Sequence, residues 1–109
     1  MTRLTAEQVE DRAHEALGVL TSTDEEAAKL KFLADEAEQK YKATVDAVFL
    51  HEEGAIEIRK AKARQHAEPL YLEFLQARQR FDALMNRRKS AEIVVDWLRS
   101  LYSNLKQGK

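Results

Sequence analysis

Apolar side chains recur along most of the chain at alternating steps of three and four residues, with few interruptions. Only three Gly and one Pro occur among the 109 residues. No segment shows the strict apolar and polar alternation, bounded by turn residues, that is typical of a strand. The sequence therefore predicts an all-α protein in which the helices pack as a hairpin or coiled coil.

Capping residues predict where the first two helices begin. Thr5 with Gln8 forms a capping-box pattern, which predicts a short helix over about residues 5–20. Thr23 with Glu26 repeats the pattern before an acidic first turn, so a second helix is predicted over about residues 24–52. Gly54 then supplies the reversal, because a helix running straight through it would lose about 1 kcal/mol.

A third helix is predicted over about residues 56–105 and has the clearest register. Its apolar stripe comprises Leu70, Phe74, Ala77, Phe81, Leu84, Arg88, Ala91, Val95, Leu98, Tyr102 and Leu105, and extends backwards through Ala67, Ala63, Lys60 and Ile56. The matching stripe of the second helix comprises Ala27, Leu30, Ala34, Ala37, Tyr41, Thr44 and Val48. Pro69 either kinks the third helix or starts a new one, and a kinked continuation is favoured.

The composition indicates a thin core. With 7% aromatic and 34% charged residues, a single helical domain over residues 1–109 is expected to complete its burial in a homo-oligomer. The candidate oligomer or partner interface comprises Phe74, Phe81, Leu84, Val95, Trp97, Leu98 and Tyr102. Trp97 is either half-buried between helices or an energetic centre of a partner interface.

No motif for catalysis or for a cofactor is found in the sequence. "HEEG" at His51 begins like a zinc-protease motif, but position 55 is Ala where the second His is needed. Cys is absent, and no apolar run is long enough for a membrane span. The expectation is a cytoplasmic protein that is not an enzyme and has no catalytic residues, cofactor, metal or membrane partner.

Charge is distributed unevenly along the sequence. Residues 1–54 carry 6 Lys or Arg against 13 Asp or Glu, whereas residues 55–109 carry 12 against 6. Either the acidic segment packs on the basic one, or the basic half faces an anionic partner. The candidate nucleic-acid contacts are Arg59, Lys60, Lys62, Arg64, Arg87, Arg88 and Lys89, with Tyr71 or Phe74 available to stack on a base. The alternative is that these cations form inter-helix ion pairs or a solvated helix face.

The order of these features resembles a known family. An acidic capped helix, the basic stretch "RKAKAR", an aromatic heptad and the C-terminal "RRKSAEIVVDWLRSL" are similar to small helical tailed-phage proteins, in particular UvsY-type recombination mediators, over about residues 24–105. The resemblance implies a helical oligomer that binds single-stranded DNA and helps to load a recombinase. It implies DNA contacts at Arg59, Lys60, Lys62 and Arg64, and oligomer packing through the helix from Trp97 to Leu105.

Three functions stay open at this point. The first is an oligomeric accessory protein that binds single-stranded DNA in phage recombination or replication, acting with a recombinase or another phage or host protein in the host cytoplasm. The second is a small phage-encoded inhibitor of host defence that presents an acidic helical surface. The third is a structural or scaffolding coiled coil, in which the charges only set solubility and partner choice.

Overall fold

The computed structural model describes residues 4–107, and helix is the only regular secondary structure among them. Helix α1 spans Ala6–Ser22, α2 spans Asp24–His51 and α3 spans Ile56–Gln107. The predicted all-α class, with a short first helix and a long last one, is confirmed. Within residues 4–107, none of the helices combines the length and apolar character that a membrane crossing requires.

The two predicted capping boxes have different outcomes. Thr5 caps α1 as predicted: its hydroxyl accepts from the Gln8 backbone N–H at 3.1 Å, and its own N–H donates to Gln8 Oε1 at 3.0 Å. The second box is wrong. The hydroxyl of Thr23 donates to the Val19 carbonyl at 2.6 Å, so it satisfies the end of α1 and does not cap α2.

The turn between α2 and α3 lies where the sequence predicts it. The helices end at His51 and begin at Ile56, and Gly54 between them has a φ of 111°. An L side chain is strained at that angle, which explains the use of Gly. Further along, Pro69 lies inside α3, which continues through it as a single helix.

Contacts divide the chain into two compact units. The first unit is Met1–Ala27 with Ala83–Lys109, described for residues 4–27 and 83–107. In it, α1 packs on the C-terminal part of α3 around a cluster formed by Ala16, Ala91 and Val95, and Leu98 is fully buried. The single helical domain expected from the sequence stays a prediction.

The second unit is Ala28–Asp82, in which α2 and the first part of α3 form a helical hairpin. Ala63 and Ala67 on α3 are fully buried, and Ala34 on α2 is 4% exposed. Small residues at these positions allow the two helix backbones to approach closely. The rings of Tyr41 and Tyr71 meet across the hairpin, with their centroids 5.1 Å apart.

The predicted apolar stripes agree with the observed burial over most of their length. Every stripe residue of α2 is buried or half-buried, as is every stripe residue of α3 from Ala63 to Tyr102. The pattern fails at the ends of α3, where Ile56, Lys60 and Leu105 are exposed and Arg59 is half-buried. A straight helix drifts by about 20° per heptad from a 3.5-residue repeat. A register extended over many heptads therefore assigns to the buried stripe a residue next to the one that is buried.

Candidate nucleic-acid interface

Arg59 is used to close the hairpin of the second unit. Its Nε and Nη2 donate to the Phe49 carbonyl at 3.1 and 2.8 Å, and its guanidinium carbon lies 4.3 Å from the centroid of the Phe49 ring. Phe49 is in the last turn of α2, where backbone carbonyls have no partner within the helix. Arg59 therefore caps the end of α2 and covers an aromatic ring.

The other three cations of "RKAKAR" have different surroundings. Lys62 Nζ lies 3.4 Å from Glu52 Oε2, in an ion pair that joins the end of α2 to α3. Lys60 Nζ is 3.8 Å from Glu57 on the same helix, and half of the Lys60 side chain is exposed. Arg64 is exposed and forms no ion pair within residues 4–107. Lys60 and Lys62 are thus about equally exposed, and they differ in that the ion pair of Lys62 reaches the end of α2 whereas that of Lys60 stays within α3.

Arg64 borders two adjoining surface grooves of the hairpin. The groove on one side has a volume of about 300 Å³ and is lined by Val45, Asp46, Phe49, Lys60, Ala63 and Arg64. The groove on the other side has a volume of about 460 Å³ and is lined by Tyr41, Arg64, Gln65, Glu68 and Tyr71. Arg64 therefore stands beside a tyrosine pair, and Lys60, one helical turn away on α3, lines the other groove.

The tyrosine pair offers an exposed aromatic surface. Its rings are tilted by 49°, and Tyr71 is 40% exposed, whereas Phe74 is half-buried with its ring centroid 6.3 Å from that of Tyr71. Of the two aromatic residues that the sequence offers for stacking, Tyr71 is the more accessible. Sequence reasoning missed Tyr41 in this role, and the available signal is that a hairpin reversing near Gly54 brings the middle of α2, which contains Tyr41, towards the part of α3 that contains Tyr71.

The second basic stretch, Arg87 to Lys89, lies in the first unit, and its members also differ in their surroundings. Arg88 Nη2 donates to Asp24 Oδ1, and its side chain is only 16% exposed. The sequence places Arg88 in the apolar stripe of α3, and there its charge faces an acid at the start of another helix. Arg87 and Lys89 on either side are exposed.

The predicted oligomer interface has mixed accessibility. Leu84, Val95 and Leu98 are buried in the core of the first unit, so a partner does not reach them in this fold. Phe74, Phe81 and Tyr102 are half-buried, and Trp97 is 57% exposed. A hydrogen bond with Tyr102 raises the pKa of Lys106, whose Nζ lies 5.0 Å from the centroid of that ring.

Folding removes the charge asymmetry seen along the sequence. The second unit contains ten Lys or Arg and ten Asp or Glu, and the first contains eight and nine. Each unit brings acidic residues from the N-terminal half together with basic residues from the C-terminal half. Within residues 4–107 there is no group of three or more His, Cys, Asp or Glu arranged to hold a metal ion.

Comparisons with protein-family models, with curated proteins and with solved structures find no match to this chain. The resemblance to recombination mediators therefore stays a prediction from the sequence.

Proposed function

We propose that the chain is a non-enzymatic accessory protein that binds single-stranded DNA in phage recombination or replication. The observation that carries the proposal is the tyrosine pair of the second unit, which shares a groove with Arg64. Exposed aromatic rings beside cations are the recurring elements of sites that bind unpaired nucleic acid without sequence preference.

The geometry gives each residue a role. An unpaired base stacks on Tyr71, which contributes ~1–3 kcal/mol by analogy with aromatic platforms in other proteins. Lys60 and Arg64 then contact the phosphates that precede or follow that base. Glu68 lines the same groove, and its carboxylate repels phosphate, which favours a backbone path on the Arg64 side.

Arg59 and Lys62 have a different role in this proposal from the one implied by the family resemblance. Both bind groups at the C-terminal end of α2, so they hold the hairpin on which the groove depends. Because the second unit has no net charge, DNA affinity rests on the local arrangement of Lys60, Arg64 and Tyr71. We expect weak binding with a shallow salt dependence.

The salt dependence tests the phosphate contacts. Two phosphates neutralised on a single strand give a slope of log K against log salt of about −1.4. Fluorescence anisotropy of a labelled oligothymidylate, titrated at several salt concentrations, measures that slope. The double variant Lys60→Ala/Arg64→Ala is expected to lose both the affinity and the slope.

A matched control separates a site from general attraction between charges. Lys31→Ala/Lys40→Ala removes two exposed cations from α2, each in an ion pair with an acid one turn away, and is expected to bind like the parent protein. Tyr71→Phe should retain binding, whereas Tyr71→Ala should weaken it. Absence of binding at low salt, or equal losses in the two double variants, would refute the proposed site.

The proposal extends to partners as the family resemblance implies them. A protein that loads a recombinase must bind that recombinase as well as DNA, in the cytoplasm of the phage's host. Co-sedimentation of the recombinase with the parent protein in the absence of DNA tests this part separately from the groove.

A further inference from the structure

In the first unit, α3 has a second face that points away from α1, except that Ser90 at its edge lines a groove with Arg12 and Glu15 of α1. Its members recur at steps of four and three residues, and all of them are exposed: Asn86, Ser90, Ile93, Trp97, Ser100 and Asn104. Ile93 and Trp97 are 60% and 57% exposed. No member is ionisable, although 34% of the chain is charged. An uncharged exposed face with two large apolar residues at its centre is typical of a surface that another helix covers.

The residues that flank this face carry charge in a specific order. Lys89 and Asp96 lie on one flank, one heptad apart, and both are exposed without an ion pair within residues 4–107. Arg87 and Val94 lie on the other flank, with Val94 41% exposed. Opposite charges one heptad apart on a single flank are complementary to the same flank of an antiparallel copy.

We propose that the uncharged face binds the same face of a second copy of this chain, with the two α3 helices antiparallel. The contact is isologous, so each pair of residues occurs twice about a two-fold axis. The inference does not depend on nucleic-acid binding.

The sizes of the side chains are compatible with one antiparallel register in particular. In an antiparallel pair of helices, each a position faces a d position of the other helix. With Ser90 and Trp97 as a positions, one register places Trp97 opposite Asn86 of the second copy and Ile93 opposite Ser90 of the second copy. A large side chain then faces a smaller one in every central layer, whereas a parallel pair in register stacks Trp97 on Trp97.

The flanking charges select this register. It brings Lys89 of each copy to Asp96 of the other, giving two ion pairs. A shift by one heptad in one direction opposes Asp96 to Asp96, and a shift in the other direction opposes Lys89 to Lys89. The charges therefore select among the antiparallel registers, and the side-chain sizes are compatible with the register that the charges select.

The extent of the face indicates a weak dimer. In this register the two uncharged faces overlap from Asn86 to Trp97, over which the helix rises ~16 Å, and this is too short for an interface of standard size. We therefore expect monomer and dimer to exchange on dilution. Trp97 is the only Trp in the chain, so its emission should move to shorter wavelength as the concentration rises and the dimer forms.

Charge reversal tests the orientation. Sedimentation equilibrium of the full chain should give a dimer, and Lys89→Asp should raise its dissociation constant by about tenfold, because two ion pairs become two repulsions. The double variant Lys89→Asp/Asp96→Lys restores both pairs with reversed sign and should return the constant to within about threefold of the parent value. Lys29→Asp, which changes an exposed cation of α2, is the control and should have no effect.

Each outcome decides the proposal. Rescue by the double variant supports the antiparallel register. A chain that stays monomeric at high concentration, a dimer that ignores Lys89→Asp, or a double variant no tighter than the single one would overturn it. Far-UV circular dichroism of each variant establishes that the helices are intact, so that a loss of dimer is not a loss of fold.

Discussion

Arg88 Nη2 lies 2.6 Å from Oδ1 of Asp24, a residue 64 positions earlier in the chain. Through Nη1 the same guanidinium donates to the Leu20 carbonyl at 2.9 Å and to the Thr23 hydroxyl at 2.8 Å. One side chain of α3 thus binds the end of α1, the residue that separates α1 from α2, and the first residue of α2. This explains why a cation occupies the apolar stripe of α3.

Replacing Arg88 with Ala should destabilise the protein by about 2–3 kcal/mol. The substitution leaves the buried hydroxyl of Thr23 and a carbonyl at the end of α1 without their donor. Urea unfolding followed by circular dichroism measures the change. Arg87→Ala, an exposed neighbour, is the control and should stay within about 0.5 kcal/mol of the parent protein. Equal effects of the two substitutions would mean that the contacts of Arg88 contribute little.

Two glycines should respond to alanine in opposite directions. Gly54 has a φ of 111°, so Gly54→Ala should cost about 1–2 kcal/mol through backbone strain. Gly18 lies inside α1 with open space where a Cβ would stand, so Gly18→Ala should stabilise by about 0.5–1 kcal/mol. Thermal unfolding midpoints of the two variants should fall on either side of the parent value. The same sign for both would contradict this account of the turn.

Pro69→Ala should stabilise the protein by about 2 kcal/mol. Pro inside a helix costs about 3 kcal/mol relative to Ala, and its restriction of the unfolded chain offsets up to about 1 kcal/mol of that cost. Glu68→Ala, at the exposed preceding position, should have a small effect and serves as the comparison. A loss of stability in Pro69→Ala would show that the ring makes a favourable contact that exceeds the helical penalty.

Arg59→Ala should lower stability by about 1–2 kcal/mol, because a carbonyl at the end of α2 loses two charge-assisted hydrogen bonds and the Phe49 ring loses its cation. Lys60→Ala should leave stability nearly unchanged. DNA affinity, measured well below the unfolding temperature, should rank the two variants in the opposite order: Lys60→Ala should bind DNA more weakly than Arg59→Ala. A loss of affinity in Arg59→Ala at full helicity would place Arg59 in the DNA contact instead.

Most of the fold could be predicted from the sequence because the spacing of apolar residues along a helix shows directly which face of the helix is buried. The stripe from Ala27 to Val48 is buried or half-buried throughout, and Thr5 with Gln8 forms the expected cap. Thr23 was predicted wrongly because the same local pattern permits its hydroxyl to serve either the helix before it or the helix after it. The donor that decides between them, Arg88, is distant in the sequence.

The candidate site was less predictable for a related reason. A run of cations shows only that charge is concentrated, whereas its use depends on what the hairpin brings near. Arg59 faces a carbonyl and Lys62 faces a carboxylate, so "RKAKAR" has two structural members that no local pattern distinguishes from the other two. The uncharged face around Trp97 had a usable signal, which is the absence of charge at every third or fourth position from Asn86 to Asn104.

Ala63 and Ala67 are the most fully buried residues of the hairpin, and this limits how the sequence can change. A methyl group is all that fits where α3 meets α2, so a larger side chain at either position must push the helices apart and alter the groove beside Arg64. Gly would fit but would weaken the helix. Related chains should therefore vary freely in their surface charges while keeping the smallest helix-forming residue at these two positions.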